Sequence, residues 1–91
     1  MRFAMIFAMS LFVIPTVSAQ SYRGYSCDEL WEARNEIYKN AGYCFKTSKA
    51  IRRFGNAGCV HDDMHDVPLT FNQRKTVEAI QRQERSYRCP R

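Results

Sequence analysis

Between residues 26 and 45 the apolar positions recur at three- and four-residue intervals, so Leu30, Ala33, Ile37 and Ala41 share one face of a helix. Trp31, Arg34 and Tyr38 line the stripe beside it. The ends of this element are equally marked. Ser26 followed by Glu29 is a capping box, in which a hydroxyl and a carboxylate each take an orphan amide of the first turn. Tyr25 and Leu30 stand at hydrophobic-staple spacing. Asp28, Glu29 and Glu32 put negative charge where the helix dipole favours it. Gly42 can enter the left-handed conformation that stops a helix, with Tyr38 and Tyr43 at the spacing of the side-chain contact accompanying such a stop. The pattern predicts a helix over residues 27–41.

The same period returns near the other end. Thr70 and Gln73 form a second capping box. Val77, Ile80 and Tyr87 then fall on one stripe, which Glu84 interrupts. A helix over residues 71–87 follows, with Phe71 expected as an extra core contact at its start. Between the two helices Phe45 is expected to turn inward. Thr47 or Ser48 can cap a short helix over residues 49–54, with Ile51 and Phe54 on one side. Gly55, Asn56 and Gly58 bend the chain toward Cys59. Residues 60–68 show neither period, contain Pro68 and read as a loop. No stretch has the alternation of a strand. The expected fold is a small all-α domain: two main helices plus a short middle helix.

The first residues belong to a different kind of segment. Arg2 precedes an apolar run over residues 3–14, too short to span a bilayer comfortably. Pro15 breaks the run, and Val17, Ser18 and Ala19 offer small residues for a peptidase. The expectation is a signal peptide over residues 1–19, cleaved after Ala19, and a domain over residues 20–91 that is periplasmic or secreted. No transmembrane anchor is expected after cleavage. Loss of the leader removes one charge, Arg2, and lowers the net charge from +5 to +4.

A chain of this size rarely draws more than about 3–5 kcal/mol from one core, so a staple is expected. The 4 cysteines all follow the leader, and an even count in a short exported chain implies a disulfide framework. Cys27 and Cys44 flank the first helix and would lie roughly 20–25 Å apart at about 1.5 Å per residue. A disulfide needs its Cα atoms within about 7 Å, which excludes that pair. Cys44 with Cys59 and Cys27 with Cys89 is the preferred pairing: one bridge closes a local loop, the other ties the start of the first helix to the end of the last. Cys27 with Cys59 and Cys44 with Cys89 remains open. Zinc would want closer ligand pairs than these four offer.

Several of these residues carry a resemblance. Arg34, Asn35, Glu36, Ile37 and Tyr38, followed by Gly42, Tyr43 and Phe45, resemble the YARHG domain, a small bacterial domain of extracellular type. Of the five letters in its name the chain keeps Tyr38 and Gly42 and departs at Lys39, Asn40 and Ala41. Leu69, Thr70, Val77 and Ile80 continue the likeness, with Gln73 where an acid is usual. The likeness covers residues 25–87. The family has no settled molecular function, so the resemblance implies an address and a fold rather than a chemistry. In so small a domain Arg34, Asn35, Glu36 and Tyr38 are expected to lock the first helix to the rest, with Arg34 pairing with a carbonyl or carboxylate; the competing reading of these four is a recognition surface.

Candidate chemistry is sparse. His61 and His65 lie in the most polar segment, with Asp62, Asp63 and Asp66 beside them. Zinc or nickel would suit such donors, but four-residue spacing converges only on a helix and the segment reads as a solvated loop. With the cysteines paired no thiolate remains, and no serine sits in a nucleophile elbow. Glu29, Glu32 and Glu36 are explained by the helix dipole and by solvent. No enzyme and no cofactor are expected.

Charge suggests more. Lys46, Lys49, Arg52 and Arg53 follow one another with no acid among them. Arg74, Lys75, Arg82, Arg85, Arg88 and Arg91 outnumber Glu78 and Glu84 at the C-terminal end. Cationic patches favour polyanions. Export disfavours nucleic acid as the intended partner, so Lys46, Lys49, Arg52 and Arg53 are candidate contacts for an anionic envelope polymer. The expected role is a non-catalytic binding or interaction module that contacts such a polymer or an envelope protein. The competing reading is a small periplasmic enzyme inhibitor or enzyme, with residues 46–58 as a disulfide-framed inhibitory loop.

Overall fold

The computed structural model describes residues 22–90. The expected leader, residues 1–19, lies outside the described residues, as does Arg91. The elements run α1 (Cys27–Asn40), α2 (Ser48–Phe54), a single 3₁₀ turn (Met64–Asp66) and α3 (Phe71–Ser86), with no strand among the described residues. α1 packs against both α2 and α3.

Both long helices begin as their sequences dictate. At α1 the Ser26 hydroxyl accepts from the Glu29 N–H at 3.1 Å, while the Glu29 carboxylate accepts from the Ser26 N–H at 2.8 Å. At α3 Thr70 and Gln73 make the same reciprocal pair at 3.1 and 2.8 Å. Such a cap contributes about 1 kcal/mol.

Both long helices also end in the same way, although only one has a glycine. After α1 the chain turns through Gly42 at φ +91°; the Gly42 N–H donates to the Lys39 carbonyl and the Tyr43 N–H to the Tyr38 carbonyl. This is a Schellman stop, and the rings of Tyr38 and Tyr43 meet edge to face at 5.9 Å as its side-chain contact. After α3 the Arg88 N–H donates to the Arg85 carbonyl and the Cys89 N–H to the Glu84 carbonyl, with Arg88 in the left-handed region at φ 56°.

The cysteines pair as Cys27–Cys89 and Cys44–Cys59, with Cα atoms 5.5 and 5.1 Å apart. The alternative pairing is therefore not the one formed. Cys27–Cys89 joins the start of α1 to the turn just beyond the end of α3, so the two packed helices run antiparallel. The enclosed segments, 62 and 15 residues in separation, correspond to roughly 4 and 3 kcal/mol in the loop-closure model.

The interior is a chain of rings as much as an aliphatic core. Tyr43 meets Phe45 edge to face at 5.2 Å, Phe45 stacks on Phe54 at 5.3 Å, and Phe54 lies 5.8 Å from Trp31. The rings lead from the end of α1 across to α2 and back to the middle of α1. Tyr38, Ala50, Val67 and Val77 are buried around them, and Leu30 and Ile80 are fully excluded from solvent. Phe45 thus turns inward as expected. Its backbone is held by Asn56, whose Oδ1 accepts from the Phe45 N–H at 2.7 Å and whose Nδ2 donates to the Phe45 carbonyl at 3.0 Å.

Three core expectations fail, each for a geometric reason. Phe71 is 63% exposed, with the Lys75 ammonium over its ring. At about 100° per residue it stands roughly 120° around α3 from Val77, on the solvent side. Ile51 is exposed while Ala50, one position earlier, is buried, so α2 is rotated to present its alanine and Phe54 inward. Tyr87 is not in the stripe of α3 but caps its end, and its hydroxyl accepts from the Gly24 N–H at 3.2 Å.

The loop over residues 60–68 is anchored by backbone. The Val60 and His61 N–H groups both donate to the Gly42 carbonyl, and the His61 carbonyl accepts from Cys44 at 2.8 Å. The approach is close: a Cβ on Gly42 would stand 3.2 Å from Val60 Cγ2. Gly42 is thus required twice, for its turn and for this contact.

Candidate functional site

One face of α1 carries most of what could be functional. Taken around the helix, Arg34 falls at the middle of the buried arc that runs from Ala33 to Asn35 through Leu30, Ile37 and Tyr38. A guanidinium there must find an anion, because a charge taken out of water unpaired costs several kcal/mol. It finds Glu84, the residue that interrupts the apolar stripe of α3. Arg34 Nε and Nη2 donate to Glu84 Oε1 and Oε2 at 2.9 and 3.1 Å, a two-pronged pair whose side chains are only 19% and 14% exposed. Asn35, the one buried polar residue among the described residues, donates from Nδ2 to the Trp31 carbonyl one turn back at 2.9 Å.

The Arg34–Glu84 pair borders a cleft of about 590 Å³ between α1, the start of α2 and the end of α3. Trp31, Tyr43, Phe45 and Met64 give it an apolar lining, and Lys46, Arg85 and Arg88 add cations. Glu84 is the single carboxylate among the lining residues, and Arg34 already occupies it. Lys46 reaches Asp62 at 3.2 Å across the exposed surface. Arg85 and Arg88 are exposed and have no ion pair among the described residues. The positive charge of the cleft therefore comes chiefly from the end of α3.

The residues of the sequence motif divide accordingly. Arg34, Asn35, Tyr43 and Phe45 line the cleft; Ile37 and Tyr38 pack in the core; Gly42 serves the turn; Glu36 is exposed. Burial raises the Tyr38 phenol above its ordinary pKa, with Arg34 opposing and Tyr43 reinforcing the shift.

The four consecutive cations are not brought together as one open patch. Lys49 sits over the Trp31 ring at 4.1 Å and lies 3.8 Å from Asp28. Arg53 clasps both oxygens of Glu32 and covers the Phe54 ring. Lys46 has Asp62, and Arg52 is left without an ion pair among the described residues. The contacts of Lys49 and Arg53 join α1 to α2, and with Lys46 paired to Asp62 three of the four charges are spent internally. Residues 46–58 form chiefly the helix α2 rather than a projecting loop.

His61 and His65 are likewise apart in role. His61 is half-buried and used through its backbone, whereas His65 stands on the 3₁₀ turn with Nδ1 3.1 Å from Asp63. The His65 N–H and ring together lower the Asp63 carboxyl below its ordinary pKa. Among the described residues no three His, Cys, Asp or Glu side chains are placed to hold a metal ion.

Sequence reasoning did not single out Asn56, Met64 or Gln81. Asn56 looked like one more turn former beside two glycines. Met64 and Gln81 reach the cleft only through the way the loop and α3 are folded onto α1.

The family model for the YARHG domain matches the chain over residues 7–85. No curated protein and no solved structure matches it.

Proposed function

Because this chain belongs to the YARHG domain family, an extracellular-type domain, we propose that it works outside the cytoplasm as a non-catalytic binding module. Two disulfides fit an oxidising compartment. No helix among the described residues is long and apolar enough to cross a membrane. The carrying observation is the cleft, where four motif residues from α1 and the segment after it meet the cationic end of α3. Its volume falls within the range of small-ligand sites, about 300–1,000 Å³. The lining offers recognition groups but little chemistry. Among the described lining residues there is no histidine, Cys89 is disulfide-bonded, and the one side-chain carboxylate is held by Arg34.

The partner is an envelope protein or an anionic envelope polymer, held through this cleft. A pull-down from envelope extract with the immobilised domain, at low and high salt, tests the reading. Stoichiometric retention of a partner supports it. Turnover of a component of the extract, with nothing retained, refutes it.

A further inference from the structure

The composition of the cleft narrows the partner, and the inference rests on the binding-module reading. Arg85 and Arg88 stand at its edge without carboxylate partners among the described residues, and planar guanidinium groups favour carboxylates in two-pronged geometry. Inside this edge the lining is mixed, with an apolar portion: Trp31 is part exposed, Met64 is 39% exposed, and Tyr43 and Phe45 are buried beneath them. A thioether beside aromatic rings adapts to alkyl or aryl groups of varied shape. A hydrophilic polyanion would satisfy the guanidinium groups and leave that apolar portion wet. An acidic peptide that interleaves carboxylates with aromatic or aliphatic side chains would satisfy both.

We infer that the cleft bounded by Trp31, Met64, Arg85 and Arg88 binds an acidic peptide segment of a partner protein, burying an apolar side chain against Trp31 while its flanking carboxylates pair with Arg85 and Arg88. Glu84 takes no part in ligand pairing. It fixes Arg34 and keeps the base of the cleft close to neutral, so selectivity for anions resides at the outer end.

Trp31 is the only tryptophan in the chain, and its emission reports directly on the cleft. The experiment titrates the folded, oxidised domain with a blocked peptide of alternating glutamate and phenylalanine. The comparisons are the same peptide with lysine for glutamate and an acidic polysaccharide, polygalacturonate. The expected result is a saturable change in Trp31 emission with the acidic peptide alone. Arg85→Gln and Arg88→Gly should each weaken it by up to about fivefold, the effect of an exposed charge pair. Arg88→Gly suits the left-handed turn and keeps the domain folded, and circular dichroism confirms this for both variants. An equal response to polygalacturonate overturns the inference in favour of a plain polyanion surface. Silence toward every probe also overturns it; if the envelope pull-down still retains a partner, the wider binding-module reading survives that failure.

Discussion

Arg34 and Glu84 are opposite charges set into facing apolar stripes, and removing one should cost more than almost any other surface-reaching change. Arg34→Met keeps much of the side-chain volume but leaves Glu84, 14% exposed, facing the interior. Two unit charges about 4 Å apart attract by about 4 kcal/mol at an effective dielectric constant of about 20. Breaking a fully buried pair costs about 3–5 kcal/mol, chiefly through the charge left behind. The remaining 19% and 14% exposure lets water relieve part of this, so we expect a loss of about 2–4 kcal/mol. In a domain of this size that corresponds to a fall in Tm of roughly 10–25 °C. Glu84→Leu should behave similarly by stranding Arg34. The double variant Arg34→Met with Glu84→Leu strands nothing and should recover most of the loss. Urea unfolding followed by far-ultraviolet circular dichroism gives all three values. Single variants within about 0.5 kcal/mol of the parent would refute the reasoning, since that is the range of ordinary surface changes. So would a double variant whose loss equals the sum of the two single losses.

Other outcomes follow from separate features. Replacing Cys27 and Cys89 by serine should remove about 4 kcal/mol, comparable to the whole core contribution, and abolish a cooperative melt; a melt within a few degrees of the parent would contradict this. Arg88→Gly should raise Tm by roughly 4–8 °C, because glycine adopts φ 56° without the cost of about 1 kcal/mol that a side chain incurs; an unchanged or lower Tm would argue against strain at that turn. Asn56→Ala leaves the Phe45 N–H and carbonyl unpaired and should cost about 1–3 kcal/mol, visible as faster amide exchange at Phe45. Raising the pH above 10.0 should progressively destabilise the domain: the phenol of Tyr38 ionises at its ordinary value when unfolded but resists when folded, so stability present below that pH is lost as it rises. Tyr38→Phe should flatten that part of the alkaline profile, and an identical slope would count against it.

Local features were legible from sequence because their determinants lie within a few residues of one another. The two capping boxes, the Gly42 stop with its Tyr38–Tyr43 contact and the apolar face of α1 all involve neighbours along one turn or two. Cysteine spacing and helix length together removed one pairing, and the preference for Cys44–Cys59 with Cys27–Cys89, which the structure bears out, rested on a short loop and on assumed antiparallel packing. That choice depends on which helix end lies beside which, and antiparallel packing supplied it. Arg34 could be recognised as half-buried with an anion nearby, yet its partner lies 50 residues away at a position that looked like a flaw in a stripe. Phe71 misled for the opposite reason: its hydrophobicity was plain, but its angle around α3 put it in water.

Composition alone also suggested a cationic patch at Lys46, Lys49, Arg52 and Arg53, since no acid is close to them in sequence. Folding brought Asp62, Asp28 and Glu32 to three of them. Among the described residues the unpaired positive charge of the cleft lies instead at Arg85 and Arg88, which line it together with Trp31. Short-range order could be deduced from the chain because hydrogen-bond caps and helical periodicity act over about four residues. Partner choice among charges, the sulfur pairing and the existence of a cleft arose only when distant segments met, because side-chain attraction depends on separation in space and not on separation along the backbone.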